Sequence, residues 1–249
     1  MTEGFGNMKM MKKATLTSIL FLMLSVSVMA DDNEVYVDQS GASSTIKIEQ
    51  INGSGNIIGG LQSTAGSLTP FDIDGSSMNL TLYQIGSSNI FLGDILGDNI
   101  TFLYDADGDS NTMTIQVDPT DTFGANSGNY NIDITGNTNA MTLDVGTSAL
   151  SDTLDLDWTL TGSGNTIDFD INYDSAVNFL DLDGDDNTVN FTGSGAANGY
   201  FYLDQTGDDR TFNIQQIDTS NNAYLKLISV GSNGTICIIQ SDGSSSTGC

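Results

Sequence analysis

The chain has 249 residues, 32 of them acidic and six basic, with no histidine and a formal net charge of −26. Nucleic acid is excluded as a ligand, because holding it relies on neutralising phosphates with Lys and Arg. The absence of histidine excludes Ser-His and Cys-His nucleophiles, and leaves a zinc site only carboxylates and two cysteines close to the C-terminus.

The first element is a leader. Lys9, Lys12 and Lys13 precede an uncharged apolar run from Ala14 to Val28, and Val28-Met29-Ala30 supplies a small-residue cleavage site. This predicts a secretory signal peptide over residues 1–30, with Asp31 as the new terminus. The run of about 15 residues is too short for a transmembrane segment, which needs roughly 20. After cleavage Lys47, Arg210 and Lys226 are the remaining cations. An exported surface this acidic repels copies of itself unless salt or divalent cations screen it.

From Val35 onward the pattern has period two. Leu154, Leu156, Trp158 and Leu160 alternate with Asp155, Asp157 and Thr159, and Ile167, Phe169 and Ile171 alternate with Asp168, Asp170 and Asn172. Strand side chains point to opposite faces in turn, so the apolar set lines an interior while the aspartates meet water. Nine stretches centre on a corner glycine: Gly41, Gly53, Gly86, Gly108, Gly136, Gly162, Gly184, Gly207 and Gly231. Gly53 falls about midway in phase between its neighbours, as do Gly75 and Gly97. The spacing of Gly75, Gly86, Gly97 and Gly108 predicts coils of about 22 residues, each with two strands and two tight corners. The expected fold is all-β: a single β-solenoid domain over residues 31–249 with parallel, in-register sheets. Nine or so coils predict a rod roughly 45 Å long.

Counted from each corner glycine, inward positions agree from unit to unit. Five and seven residues on stand Ile46 and Ile48, Met113 and Ile115, Met141 and Leu143, Val189 and Phe191, Phe212 and Ile214, and Ile236 and Ile238. Gln39, Gln84 and Gln205 lie two residues before a glycine, and Gln50, Gln62, Gln216 and Gln240 nine after. Asn56, Asn89, Asn111, Asn139, Asn165 and Asn187 close Gly-x-x-Asn corners. Like residues then lie one above another at about 4.8 Å, so these amides are expected to form ladders along the stack. Glycine supplies positive φ at the corners, and asparagine tolerates the left-handed region and bonds its own backbone. Insertions fall at the opposite corner, among them Pro119 to Asn129 and Gly146 to Thr153. Cys237 and Cys249 are expected to pair in an oxidising compartment, stapling the C-terminal end.

Three segments carry a resemblance: Val35-Tyr-Val-Asp-Gln39-Ser-Gly41 with Ile46 to Gln50, Leu80-Thr-Leu-Tyr-Gln84-Ile-Gly86-Ser-Ser-Asn89, and Tyr202-Leu-Asp-Gln205-Thr-Gly207 with Phe212 to Gln216. They resemble the curlin repeat of curli subunits, in which Gln-x-Gly-x-x-Asn is followed by a second Gln after alternating apolar residues. Middle units of this chain carry Leu or Ile in place of the inward Gln. The resemblance implies a secreted subunit that self-associates into β-solenoid amyloid fibres of a biofilm matrix, exported through an outer-membrane pore.

Two acidic corners look like the start of calcium loops: Asp105, Asp107 and Asp109, then Asp181, Asp183 and Asp185. Neither has the glycine at the sixth position or the glutamate at the twelfth that an EF-hand loop requires. Carboxylate pairs such as Asp168 with Asp170, or Asp155 with Asp157, alternate outward on regular strands, so no enzymatic activity and no cofactor beyond calcium is expected. The expected function is a structural subunit of an extracellular fibre, built by stacking solenoid ends. The alternative is a monomeric acidic adhesin, calcium-dependent or not, in which the Cys237 to Cys249 closure caps the stack.

Overall fold

The computed structural model describes residues 34–59, 70–117, 127–146, 151–195, 198–218 and 223–241. Among them the regular structure is entirely β, in two parallel sheets wound as a solenoid of about seven turns with roughly 24 residues per turn. Eight strands form one sheet in chain order: Thr45–Ser54, Asn79–Ser87, Thr101–Asp107, Asn129–Thr135, Asp155–Thr161, Val177–Asp183, Tyr200–Thr206 and Tyr224–Val230. The facing sheet has twelve strands. It ends with Ile90–Leu96, Thr112–Val117, Ala140–Val145, Thr166–Asp174, Thr188–Gly195, Thr211–Asp218 and Thr235–Ser241, and it begins with short strands such as Asp38–Ser40 and Phe71–Asp74.

Each strand pairs with its equivalent one coil later, residue against residue, except for a register shift at Asn52 where Thr45–Ser54 meets Asn79–Ser87. Met113, Met141, Ile167, Val189, Phe212 and Ile236 form one inward column of the twelve-stranded sheet. The alternation of apolar and polar residues causes this register, because a slip of one residue would turn every apolar side chain to water. Inward rings of the two sheets meet across the interior: Trp158 lies edge-on to Phe169 at 4.4 Å, and Phe191 stacks on Phe201 at 3.9 Å. The core is one continuous column of such residues.

Coil length varies because one edge carries insertions. Successive ladder asparagines are separated by 22, 28, 26 and 22 residues from Asn89 to Asn187. The longer steps contain Pro119 to Asn129 and Gly146 to Thr153. Seven steps at ~4.8 Å make a rod of about 34 Å, shorter than the nine-coil expectation of roughly 45 Å. Gly41 and Gly53 mark opposite edges of one coil, which leaves eight corner glycines in the main column and so seven steps between them.

The first step is also the longest, 33 residues from Asn56 to Asn89 and 34 from Gln50 to Gln84. Its excess over 22 is close to half a coil, so period counting across it exchanges the two edges. Gly53 stands under Gly86 at the head of the main corner column, which continues through Gly108, Gly136, Gly162, Gly184, Gly207 and Gly231. Gly41 instead heads the opposite column, beneath Gly75 and then Gly97. Likewise Ile46, Ile48 and Gln50 pair with Leu80, Leu82 and Gln84 in the eight-stranded sheet, apart from Met113, Ile115 and the Gln216 and Gln240 to which the spacing assigns them.

Candidate functional site

The main edge is built from corners of one geometry. The column glycines from Gly86 to Gly231 have φ near +145°, from +142° to +148°. A Cβ on any of them would overlap the carbonyl oxygen of the glycine one coil earlier, so only glycine fits. Two residues further on the chain enters the left-handed region, at Ser88, Ser110, Thr138, Gly164, Asp186, Asp209 and Asn233. The corner asparagine, which sequence reasoning placed near that conformation, comes one residue later and turns inward. Short polar side chains tolerate φ near +60°, which leaves the asparagine amide available for bonding along the stack.

Asn56, Asn89, Asn111, Asn139, Asn165 and Asn187 are all buried in one column. Asn56 donates through its amide to Asn89 Oδ1 at 3.0 Å. From Asn89 onward the backbone N–H of each donates to the Oδ1 of the next, at 2.9, 2.7, 2.8 and 2.9 Å. The amides of Asn89, Asn111 and Asn187 donate to the carbonyl of their own corner glycine at 2.8, 2.6 and 2.9 Å. Burying an amide is costly unless it is bonded; here the side-chain oxygens from Asn89 to Asn187 all accept a bond along the stack, while the amide nitrogens of Asn139 and Asn165 are buried without a partner.

A second ladder on the outside of the same edge escaped the sequence reading. It uses the residue after each glycine: Asp109 Oδ1 accepts from the backbone N–H of Asn137 at 2.6 Å, Asn137 Oδ1 from Ser163 at 2.7 Å, and Ser163 Oγ from Asp185 at 3.0 Å. Asp185 Oδ1 then accepts from Asp208 at 2.7 Å, and Asp208 Oδ1 from Ser232. The recurrence of Asp, Asn or Ser after every one of these glycines was the available signal. Asp109 and Asp185 thus each bond an adjacent coil, while Asp105, Asp107, Asp181 and Asp183 lie on strands. Among the described residues no three His, Cys, Asp or Glu side chains converge as metal ligands do.

Glutamines pair locally at the two ends of the rod. Gln84 donates to Gln50 Oε1 at 2.9 Å and accepts from the Tyr104 hydroxyl at 2.7 Å; Gln240 donates to Gln216 Oε1 at 2.8 Å. Ser229 bonds Gln205 Oε1 at 2.8 Å. Between them Ala106, Ile134, Leu160 and Leu182 occupy the column shared by Gln84 and Gln205. Gln39 belongs to the other sheet, opposite Ile73, and bonds Ser40 O at 2.8 Å. Residues 1–30, Gln62 and Cys249 lie outside the described residues. Cys237 is not a free thiol, and it pairs in register with Asn213 on the outward side of its strand. Its sulfur therefore leaves on the wall of the rod, on the opposite side of the strand from Ile236 and Ile238.

The last coil, Tyr224–Val230 and Thr235–Ser241, is unlike the others. Ile236 and Ile238 continue columns in which Phe212 and Ile214 are fully buried, yet they are 42% and 43% exposed. Residues 223–241 contain no Asp or Glu and one cation, Lys226. Earlier coils face outward with aspartates that crowd one another. Burial and the neighbouring Asp144 and Asp168 push the Asp170 carboxyl above its usual range, and burial with Asp204, Asp183 and Asp157 does the same to Asp181. The end coil is thus an apolar, acid-free surface terminating an acidic rod, with strand edges whose N–H and C=O groups point along the axis. No family model, curated protein or solved structure matches the chain.

Proposed function

We propose that this chain is a non-enzymatic, secreted structural protein that assembles end to end into a curli-like extracellular fibre. The observation that carries the reading is the last coil of the described residues, where inward Ile236 and Ile238 remain over 40% exposed and residues 223–241 hold no acid. Removing carboxylates from this one surface lowers the repulsion that a chain of net charge −26 meets when it approaches its copy.

The first coil offers a matching surface. Column register continues from Ser229 to Gln50 and from Val230 to Ile51 when a second copy is stacked in phase. Val230 is 59% exposed and Ile51 48%, while the column between them holds Asp107, Thr135, Thr161, Asp183 and Thr206. Apolar outward residues therefore occur in this column only towards its ends, Val230 at one and Ile51 with Ile85 at the other, and a neighbouring copy would meet Val230 and Ile51. The resemblance of the glutamine-bearing segments to curlin repeats supports the same reading.

The test is assembly of purified residues 31–249, followed by thioflavin fluorescence and electron microscopy with and without reductant. Fibres under both conditions are expected. Persistent monomers in both would overturn the reading in favour of the monomeric adhesin, and fibres only with reductant would show that the Cys237 closure blocks the end.

A further inference from the structure

The outer face of the eight-stranded sheet changes character towards the C-terminus. Asp157, Phe179, Tyr202 and Lys226 form one outward column, and Asp155, Val177, Tyr200 and Tyr224 the next. The rings form a connected group: Phe179 lies 5.7 Å from Tyr200 and 5.4 Å from Tyr202, and Tyr200 stacks on Tyr224 at 4.8 Å with planes 5° apart. Phe179 is 37% exposed and Tyr224 52%. Exposed rings gathered in this way on a polar surface mark a docking site. Beside them runs a groove of about 390 Å³ lined by Asp157, Phe179, Asp181, Tyr202 and Asp204, a size within the ~300–1,000 Å³ of small-ligand clefts.

Charge decides among occupants. A polyanion is repelled by the chain as a whole and by three aspartates at the groove. A cation would be drawn to the rings, but the molecule already supplies one: Lys226 Nζ lies over the Tyr202 ring, 4.6 Å from its centroid. Asp204 in turn accepts the Tyr202 hydroxyl at 3.0 Å. What remains is the apolar face of Phe179 and Tyr224 beside the Asp157 and Asp181 carboxylates. A pyranose matches both features, with a C–H face for the ring and equatorial hydroxyls that donate to carboxylate oxygens. The rings also succeed one another coil by coil along the wall, which suits an extended chain better than a compact ligand.

We propose that this lateral face binds a neutral, extended polysaccharide of β-linked hexoses, with Phe179 and Tyr224 as stacking platforms and Asp157 and Asp181 as hydroxyl acceptors. The face lies on the wall of the rod, and of its rings Tyr224 alone belongs to the last coil, so Phe179→Ala separates this proposal from end-to-end assembly. Native electrophoresis of residues 31–249 through gels containing hydroxyethyl cellulose or laminarin tests it. The wild-type chain is expected to be retarded by at least one of the two polymers. Retardation should fall at least fivefold in the Phe179→Ala, Tyr224→Ala variant and stay unchanged in Tyr83→Ala, which alters the same face near the other end. Circular dichroism checks the fold, and Tyr224→Ala alone carries the test if the double variant does not fold. No retardation by either polymer, or equal retardation of the double variant, overturns the proposal. Binding to poly-lysine that the double variant abolishes would assign the face to a cationic partner, and wild-type self-association lost on Phe179→Ala, which leaves the last coil unaltered, would assign it to a second copy; either result also overturns it.

Discussion

The arm of Arg210 lies where a side chain on residue 234 would be: a Cβ added to Gly234 would stand 2.8 Å from Arg210 Cγ and 3.1 Å from Cζ. Arg210 takes the inward corner place that asparagine holds in the preceding coils, and its Nη1 donates to Gly207 O at 3.3 Å and Ser232 O at 3.2 Å. It therefore closes the asparagine ladder and bonds the last two corners together. Gly234→Ala is expected to cost roughly 1–3 kcal/mol by overpacking against Arg210. In an Arg210→Asn background the same change should cost less, with a coupling of about 0.5–3 kcal/mol in a double-mutant cycle read by urea unfolding. Equal costs in both backgrounds would show that the arm has room to move.

The two ladders of the main edge differ in burial, and their loss should differ in proportion. Asn165→Ala leaves the backbone N–H of Asn139, now bonded at 2.8 Å, without its acceptor inside the core. The expected loss is about 1–3 kcal/mol, the penalty of an unmade buried bond. Ser163→Ala removes the acceptor of Asp185 N–H at an exposed site, where water replaces it. Its cost should stay below about 1 kcal/mol. Thermal unfolding of the pair, with melting points shifted in that order, checks the ranking.

Fold class was legible because period two persists on both sides of every corner, from Ile132 and Ile134 to Ile167 and Phe169. Coil phase was legible only where coils are uninterrupted. The long first step moves Gly41, Gln39, Ile46 and Ile48 by half a turn, and nothing in a glycine count distinguishes half a coil from a whole one. The corner asparagines were identified, but the role given to them belongs partly to the residue before, since Ser88, Ser110 and Asp186 carry the positive φ. The exposure of Ile236 and Ile238 was not legible at all. They read like any other apolar pair, and only their exposure separates them from Phe212 and Ile214.

Corner glycines should be intolerant of even one methyl group. Gly184 has φ +142°, and a Cβ there would overlap the Gly162 carbonyl oxygen. Gly184→Ala must therefore both strain the backbone and push adjacent coils apart, at a cost of roughly 3 kcal/mol or more. The variant is expected to unfold at a markedly lower urea concentration, with protection from hydrogen exchange lost first in the coils on either side. Gly164→Ala, at φ +70° with its nearest neighbour the Thr138 methyl at 3.4 Å, meets only the milder left-handed penalty. That should be about 1–2 kcal/mol.

Acid should stabilise this protein over a range in which it weakens most others. Asp144 and Asp170 are adjacent in register, and burial followed by like charge raises both above the ordinary aspartate value of 3.8, although Gln116 partly offsets the shift at Asp144. Burial raises Asp105 as well, with Asp133 and Asp107 adding to it. A carboxyl whose folded pKa exceeds its unfolded value binds more protons when folded, so stability falls as pH rises through the interval between the two. Lowering the pH from 7 towards 4 is therefore expected to raise the melting temperature. Added salt should raise it at pH 7, and Asp170→Asn should raise it at pH 7 while flattening the pH dependence. A melting temperature that declines steadily from pH 7 to 4 would contradict the repulsion account.

The end coil separates stability from assembly. Ile238 is 43% exposed and lies in the last coil of the described residues, so Ile238→Lys should change stability by no more than about 0.5–1 kcal/mol. Ile214, one coil earlier in the same column, is fully buried, and Ile214→Lys should prevent folding by placing a charge in the core. If the C-terminal coil is the growing surface, Ile238→Lys must abolish fibre formation and keep the chain monomeric in sedimentation velocity at concentrations where the wild type associates. Mixing the variant into wild-type seeds then tests polarity. The variant should still join through its intact first coil and stop extension beyond it, so that substoichiometric amounts shorten fibres. Fibres of unchanged length would mean that assembly does not proceed through the end at Ile238.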